Sequence, residues 1–168
     1  MGLDMYLTQK FYVKNWDHMK DGEKHEISIL KGGVQSRIPT ERICYIETEE
    51  VYWRKNNAIH KWFVDNVQSG EDDCGSYGVS YEQLIELKEL CEKIVKANDE
   101  GKLDEVKDEL ETSGGFFFGG TDYDDGYIED LKQTIEIVNK ITKHEVANKL
   151  IGKSDGFFGS HYEYSSSW

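Results

Sequence analysis

Apolar positions recur with two different periods along this chain, and the changes of period mark out its elements. Leu3 to Val13 (LDMYLTQKFYV) is rich in aromatic and β-branched residues and predicts a first strand. Asp17 to Lys24 is charged and contains a glycine, which predicts a loop. HEISIL (His25 to Leu30) alternates and predicts a second strand, closed by Gly32-Gly33. Arg42 to Glu50 alternates through Ile43 and Tyr45 and predicts a third. The period then lengthens. Val51 to Gln68 predicts a helix, stopped by Ser69-Gly70. GEDDCGSYG predicts a turn-rich loop. Ser80 is placed to cap a second helix, with Gln83 at the capping-box position. Leu84, Leu87, Cys91, Ile94 and Val95 give that helix an apolar stripe, which Asn98 to Gly101 ends.

Lys102 to Glu111 predicts a short acidic helix. In SGGFFFGGTDYDDG, three phenylalanines between two glycine pairs do not suit solvent and predict a short buried strand or tight crossing. Thr121 or Asp122 is expected to cap a long helix running to about Lys143, with Ile128, Leu131, Ile135, Val138 and Ile141 at helical spacing. Ala147 to Ile151 can extend it. GFFGSHYEYSSSW, whose Tyr162 and Tyr164 alternate with polar residues, predicts a last strand. Strands, then helices, then a final strand predict an α+β fold: a small, mostly antiparallel sheet covered by about three helices.

Composition narrows the class. The 168 residues contain one proline, Pro39, and no Pro/Ser-rich linker, which predicts a single domain over residues 1–168. A 12% aromatic content argues against disorder. The net charge of −13 lacks the basic footprint of a nucleic-acid binder, so direct nucleic-acid contact is not expected. Acidity serves solubility, or meets a basic protein surface. Cys44, Cys74 and Cys91 are odd in number and form no CxxC pair, which favours free thiols in a reducing compartment and makes a poor zinc set. No apolar run approaches a membrane span, and the first residues lack a secretory pattern, so the expectation is a cytosolic protein without a membrane partner.

The richest chemistry lies in YWRKNNAIHKWF, Tyr52 to Phe63. On a helical wheel started at Trp53, Ile59, Trp62, Phe63 and Val67 fall on one broad core face, and Arg54, Lys61 and Asp65 fall opposite. Asn56 and His60, four apart, share an edge beside Phe63 and Val67. Half-buried amide and imidazole groups need partners, which can be backbone groups, a ligand, or the loop at Asp72 and Asp73. Adjacent Asp72 and Asp73 in a glycine-flanked loop can hold a cation, accept from donors, or simply form a solvated turn.

Other motifs fail. GGFFFGG lacks the Gly-Lys-Ser/Thr ending of a phosphate loop. DYDDG sets Gly126 one residue too early for a calcium loop starting at Asp122, and Asp122, Asp124 and Asp125 suit a helix amino end instead. A Cys74 nucleophile with His60 rests on no spacing rule. No metal, cofactor or diagnostic catalytic set is expected.

Several stretches together, MGLDMYL, YWRKNNAIHKWF, EDDCGSYG, SGGFFFGGTDYDDGYIEDL and the terminal YEYSSSW, resemble a family of small proteins carried by bacteriophages and prophages. The resemblance covers most of the chain apart from Asn15 to about Thr40 and about Lys143 to Gly156. It implies a phage accessory protein acting by binding in the host bacterial cytoplasm, with counter-defence as its role. The first expectation is capture of a small nucleotide-like signal. Trp53 or Tyr52 would stack, Arg54 and Lys55 would take phosphate, Asn56 and His60 would read polar groups, Asp72 and Asp73 would accept donors, and Tyr123 with the glycine-rich segment would form the opposite wall. A homo-oligomer would suit such a site, because small binders often build sites between symmetric subunits. The alternative is an acidic inhibitor of a host protein, through Asp104, Glu105, Asp108 and Glu109. A third is a hydrolase using His60 with Asp72 or Asp73.

Overall fold

A computed structural model describes residues 2–115, 118–150 and 160–168, and for 145–150 the backbone alone. The protein is α+β, and the described residues form three α-helices, a four-stranded antiparallel sheet and a small two-stranded one. The strands are β1 (Asp4–Tyr12), β2 (Leu30–Lys31), β3 (Val34–Gln35), β4 (Tyr45–Arg54), β5 (Ser76–Val79) and β6 (Ser160–Ser167). The helices are α1 (Asn57–Asn66), α2 (Tyr81–Asp99) and α3 (Asp125–Leu150). The main sheet has the order β4-β1-β6-β5, so the first and last strands lie at its centre.

Alternation explains the sheet. Met5 and Leu7 of β1, Val51 and Trp53 of β4, Val79 of β5, and Tyr162 and Tyr164 of β6 all point to one buried face. Ile59 and Phe63 of α1, Leu84, Leu87, Cys91 and Ile94 of α2, and Ile128, Leu131, Val138 and Ile141 of α3 complete the same cluster. Phe63 stacks flat on Tyr164, ring centres 3.9 Å apart and 7° from parallel, which locks α1 onto β6. Among the described residues, no helix is long and apolar enough to cross a membrane.

Several elements differ from expectation. The predicted helix from Val51 begins only at Asn57. Residues 51–54 keep the strand period instead, with Val51 and Trp53 buried and Tyr52 and Arg54 exposed, because β4 pairs with β1 as far as Arg54. Lys55, at φ 58°, then turns the chain into α1. A bulge in β4 separates the Leu7–Val51 and Thr8–Glu49 pairs. The second strand shrinks from HEISIL to Leu30–Lys31, paired with Val34–Gln35 across Gly32-Gly33. Both glycines have positive φ, as the tight hairpin turn requires. The turn-rich loop conceals β5, paired with β6. Lys102 to Glu111 forms two single 3-10 turns, Leu103–Glu105 and Lys107–Glu109, not a helix.

The second helix starts where Ser80 and Gln83 place it, with both capping bonds formed. The third is capped by Asp124, which accepts from the Tyr127 amide at 3.1 Å, in place of Thr121 or Asp122. Phe116 and Phe117 of the expected buried crossing, Ile151 of the expected extension and Gly156 to Gly159 of the last segment lie outside the described residues.

Candidate functional site

The junction between β4 and α1 builds a cleft. Asn56 caps α1 through its carbonyl oxygen, which accepts from the Ile59 amide at 3.3 Å. Asn57, next along, reaches the other way. Its amide nitrogen donates to the Phe118 and Gly120 carbonyls at 3.1 and 2.6 Å, and its oxygen accepts from the Ser113 amide at 3.2 Å. One side chain thus laces the glycine-rich segment to the helix. Gly119 makes that approach possible: its φ is 92°, and a Cβ there would sit 3.3 Å from the Lys55 carbonyl and Cβ. The first turn of α3 supplies a third wall.

The resulting cleft holds about 290 Å3 and is lined by Arg54, Lys55, Asn56 and Ala58 on one side and Gly126 and Asp130 on another. This lies near the small end of small-molecule sites, which span roughly 300–1,000 Å3. Three features distinguish it. Among the described residues Arg54 has a loose acidic partner, Asp4, at 3.9 Å, and Lys55 forms no ion pair. Asn56 is 2% exposed, yet its Nδ2 has no hydrogen-bond partner among the described residues. Asp130 is half-buried with no bond to its carboxylate from the described residues; burial, then Asp124 and Glu129, push its pKa up to about 6.

A second arrangement lies deeper. His60 is 1% exposed and both ring nitrogens are engaged, Nδ1 with the Tyr164 hydroxyl at 2.7 Å and Nε2 with Asp72 at 3.0 Å. The other Asp72 oxygen accepts from the Trp168 indole at 3.1 Å. Phe118 meets His60 and Trp168 edge-on at 5.1 and 6.1 Å. Burial pushes the Tyr164 phenol far above its ordinary pKa. This network ties α1, β6 and the 71–75 loop together and leaves His60 no nitrogen facing a substrate. Of the partners open to His60, the structure selects the Asp72 loop and a tyrosine of the last strand.

The other candidate residues sort by place. Trp53 is a core residue, its indole donating to Thr134 at 3.2 Å and its ring 5.9 Å from Phe63, so stacking on a ligand is closed to it. Asp73 closes a turn, accepting from the Gly75 amide at 2.8 Å and the Tyr77 hydroxyl at 2.9 Å, which hold its carboxyl below the usual range. Cys74 is exposed at φ 56° and apart from His60's bonds. Tyr123 packs edge-on to Tyr127 at 5.0 Å, with Lys107 above its ring, and is not part of the cleft lining. Of the expected acidic surface, Asp104 is paired with Lys107 and Glu109 with Lys93, both at 2.6 Å. Among the described residues, no group of three or more His, Cys, Asp or Glu side chains could hold a metal.

Arg54 and Asn56 are therefore the expected site residues that share the cleft, together with Lys55. Gly119 and Gly120, of the glycine-rich segment expected as the opposite wall, line it as well, whereas Asn57 and Asp130 escaped the sequence reading. Asp130 did leave a trace, as an acid flanking the apolar stripe between Ile128 and Leu131. Comparison with family models, with curated proteins and with solved structures finds no match.

Proposed function

We propose that this chain is a phage-encoded accessory protein that captures a small nucleotide-like signal in the cleft between the amino ends of α1 and α3, and so counters a host defence. The carrying observation is the buried Asn56 amide, without a partner among the described residues, at a cleft also lined by Lys55 and Arg54. An unmet buried donor costs about 1–3 kcal/mol, and a ligand acceptor would recover that cost. The amino end of α1, beside Arg54 and Lys55, favours an anion on electrostatic grounds. The phage setting rests on the motif resemblance in the sequence. His60 and Asp72 support the site from below through α1 and are not contacts.

The test is thermal stability of the purified protein against nucleoside monophosphates, cyclic dinucleotides and ADP-ribose derivatives. A ligand at 100 times its Kd adds about 2.7 kcal/mol to folding and raises Tm. Arg54→Ala, at an exposed position, is expected to abolish that rise while leaving the unliganded Tm unchanged. No rise with any compound would overturn the proposal, as would a rise that Arg54→Ala leaves intact.

A further inference from the structure

The cleft is bipolar. Arg54 and Lys55 stand with the amino end of α1, while α3 and the residues leading into it contribute carboxylates. Of those carboxylates, Asp122 and Asp124 are exposed and solvated, and Asp124 already serves as a helix cap. Asp130 is different. It lies one helical turn beyond Gly126 and is half-buried, and while its backbone carbonyl accepts from the Thr134 hydroxyl at 2.9 Å, its carboxylate accepts nothing from the described residues. A carboxylate withdrawn from water and left without donors is costly unless a ligand supplies them. Resting on the capture reading, we infer that the ligand is a guanine nucleotide: its phosphate lies against Arg54, Lys55 and the Asn56 amide, and its base presents adjacent N–H donors to Asp130.

The chemistry selects guanine among the common bases. A carboxylate has two acceptor oxygens in one plane. Guanine offers a ring N–H and an amino group side by side, which match both oxygens. Uracil flanks its single N–H with two carbonyls, which a carboxylate repels. Adenine and cytosine place a ring acceptor beside their amino group, so one oxygen faces a lone pair. The raised proton affinity of Asp130 accords with an acid awaiting donors. Cleft size points the same way, toward a mononucleotide in place of an enclosed cyclic oligonucleotide.

Calorimetric titration of the full chain with GMP, AMP, CMP and UMP tests this, alongside Asp130→Asn, Asn56→Ser and Arg54→Ala. Serine keeps the α1 cap and removes only the unmatched amide, so Asn56→Ser folds. Asp130→Asn preserves size, and thermal melting confirms its fold. GMP is expected to bind about tenfold or more tighter than the other three, a difference of about 1.4 kcal/mol. Asp130→Asn is expected to erase that preference, and Asn56→Ser to weaken every nucleotide that binds. Equal binding of another base, or a GMP preference that survives Asp130→Asn, would overturn the guanine assignment while Arg54-dependent binding kept the capture reading. Absence of binding by all four would overturn the assignment, and with it the mononucleotide form of that reading.

Discussion

A histidine can be withdrawn from water only if both ring nitrogens find partners, and His60 finds Tyr164 and Asp72. Asp72 can only accept, so Nε2 carries the hydrogen and, in the neutral ring, Nδ1 accepts from the Tyr164 hydroxyl. Tyr164→Phe then strands a buried acceptor and should cost about 1–3 kcal/mol. His60→Phe removes both bonds, and a double-mutant cycle should give a coupling of about 0.5–3 kcal/mol. Urea unfolding of the four proteins measures it, and a coupling of zero would mean that the bond adds nothing to stability. Glu163 makes a second test. Hydrogen bonds from Lys10 first and Ser76 next hold its pKa down to about 2, joining β1, β6 and β5 across the other sheet face. The folded pKa lies below the ordinary value near 4.5, so this stabilisation is complete above pH 4.5 and fades as pH falls toward 2. Acid titration of wild type and Glu163→Gln should therefore converge at low pH and separate above it.

At the scale of elements, local signals decided how much was legible. Helix α2 was read correctly at its start because Ser80 and Gln83 satisfy each other within one turn. Ser80→Ala should lower stability by about 1 kcal/mol, within a range of about 0.5–2, measured as a shift in the urea midpoint with unchanged slope. The start of α1 was misplaced because 51–54 carries aromatic and apolar residues that fit either period. What settles it is β1, 44 to 50 residues earlier, to which those residues pair. Once Trp53 belongs to a strand, a wheel begun at Trp53 has no meaning, and Asn56 moves from a helix edge to a cap. The signal for that cap, an asparagine three residues before Ile59, was present in the sequence. Strand β5 was hidden for a related reason: its partner β6 is remote in sequence, and Gly78 weakens its local pattern.

Across the whole molecule, the sheet is closed by its most distant segments. Inner strand β1 sits between β4 and β6, and β5 reaches the rest of the sheet only through β6. Removing residues 160–168 should therefore do more than trim an edge. It would detach β5, uncover Met5 and Leu7, and remove the Tyr164 ring that stacks on Phe63. The truncated chain is expected to lose cooperative thermal unfolding, and a sharp transition near the parent Tm would contradict the central place of β6. The class of fold was legible because the order of periods survives misplaced boundaries. The cleft was not, because its walls come from residues 54–58, from Thr112, Gly119 and Gly120, and from the start of α3, which only tertiary packing brings together.

The register of the two inner strands sets Asp4 directly opposite Ser167. In topological terms the described chain is nearly a ring. A short linker between residues 2 and 168 could close it without disturbing the sheet, and reopening it at the exposed Gly32-Gly33 turn would make new ends far from the cleft-forming segments in sequence. The β1–β6 pairing, now the most remote in sequence, would become a local hairpin. A permuted protein would keep the same contacts while its central pair closed a short loop early in folding, with a correspondingly smaller entropic barrier.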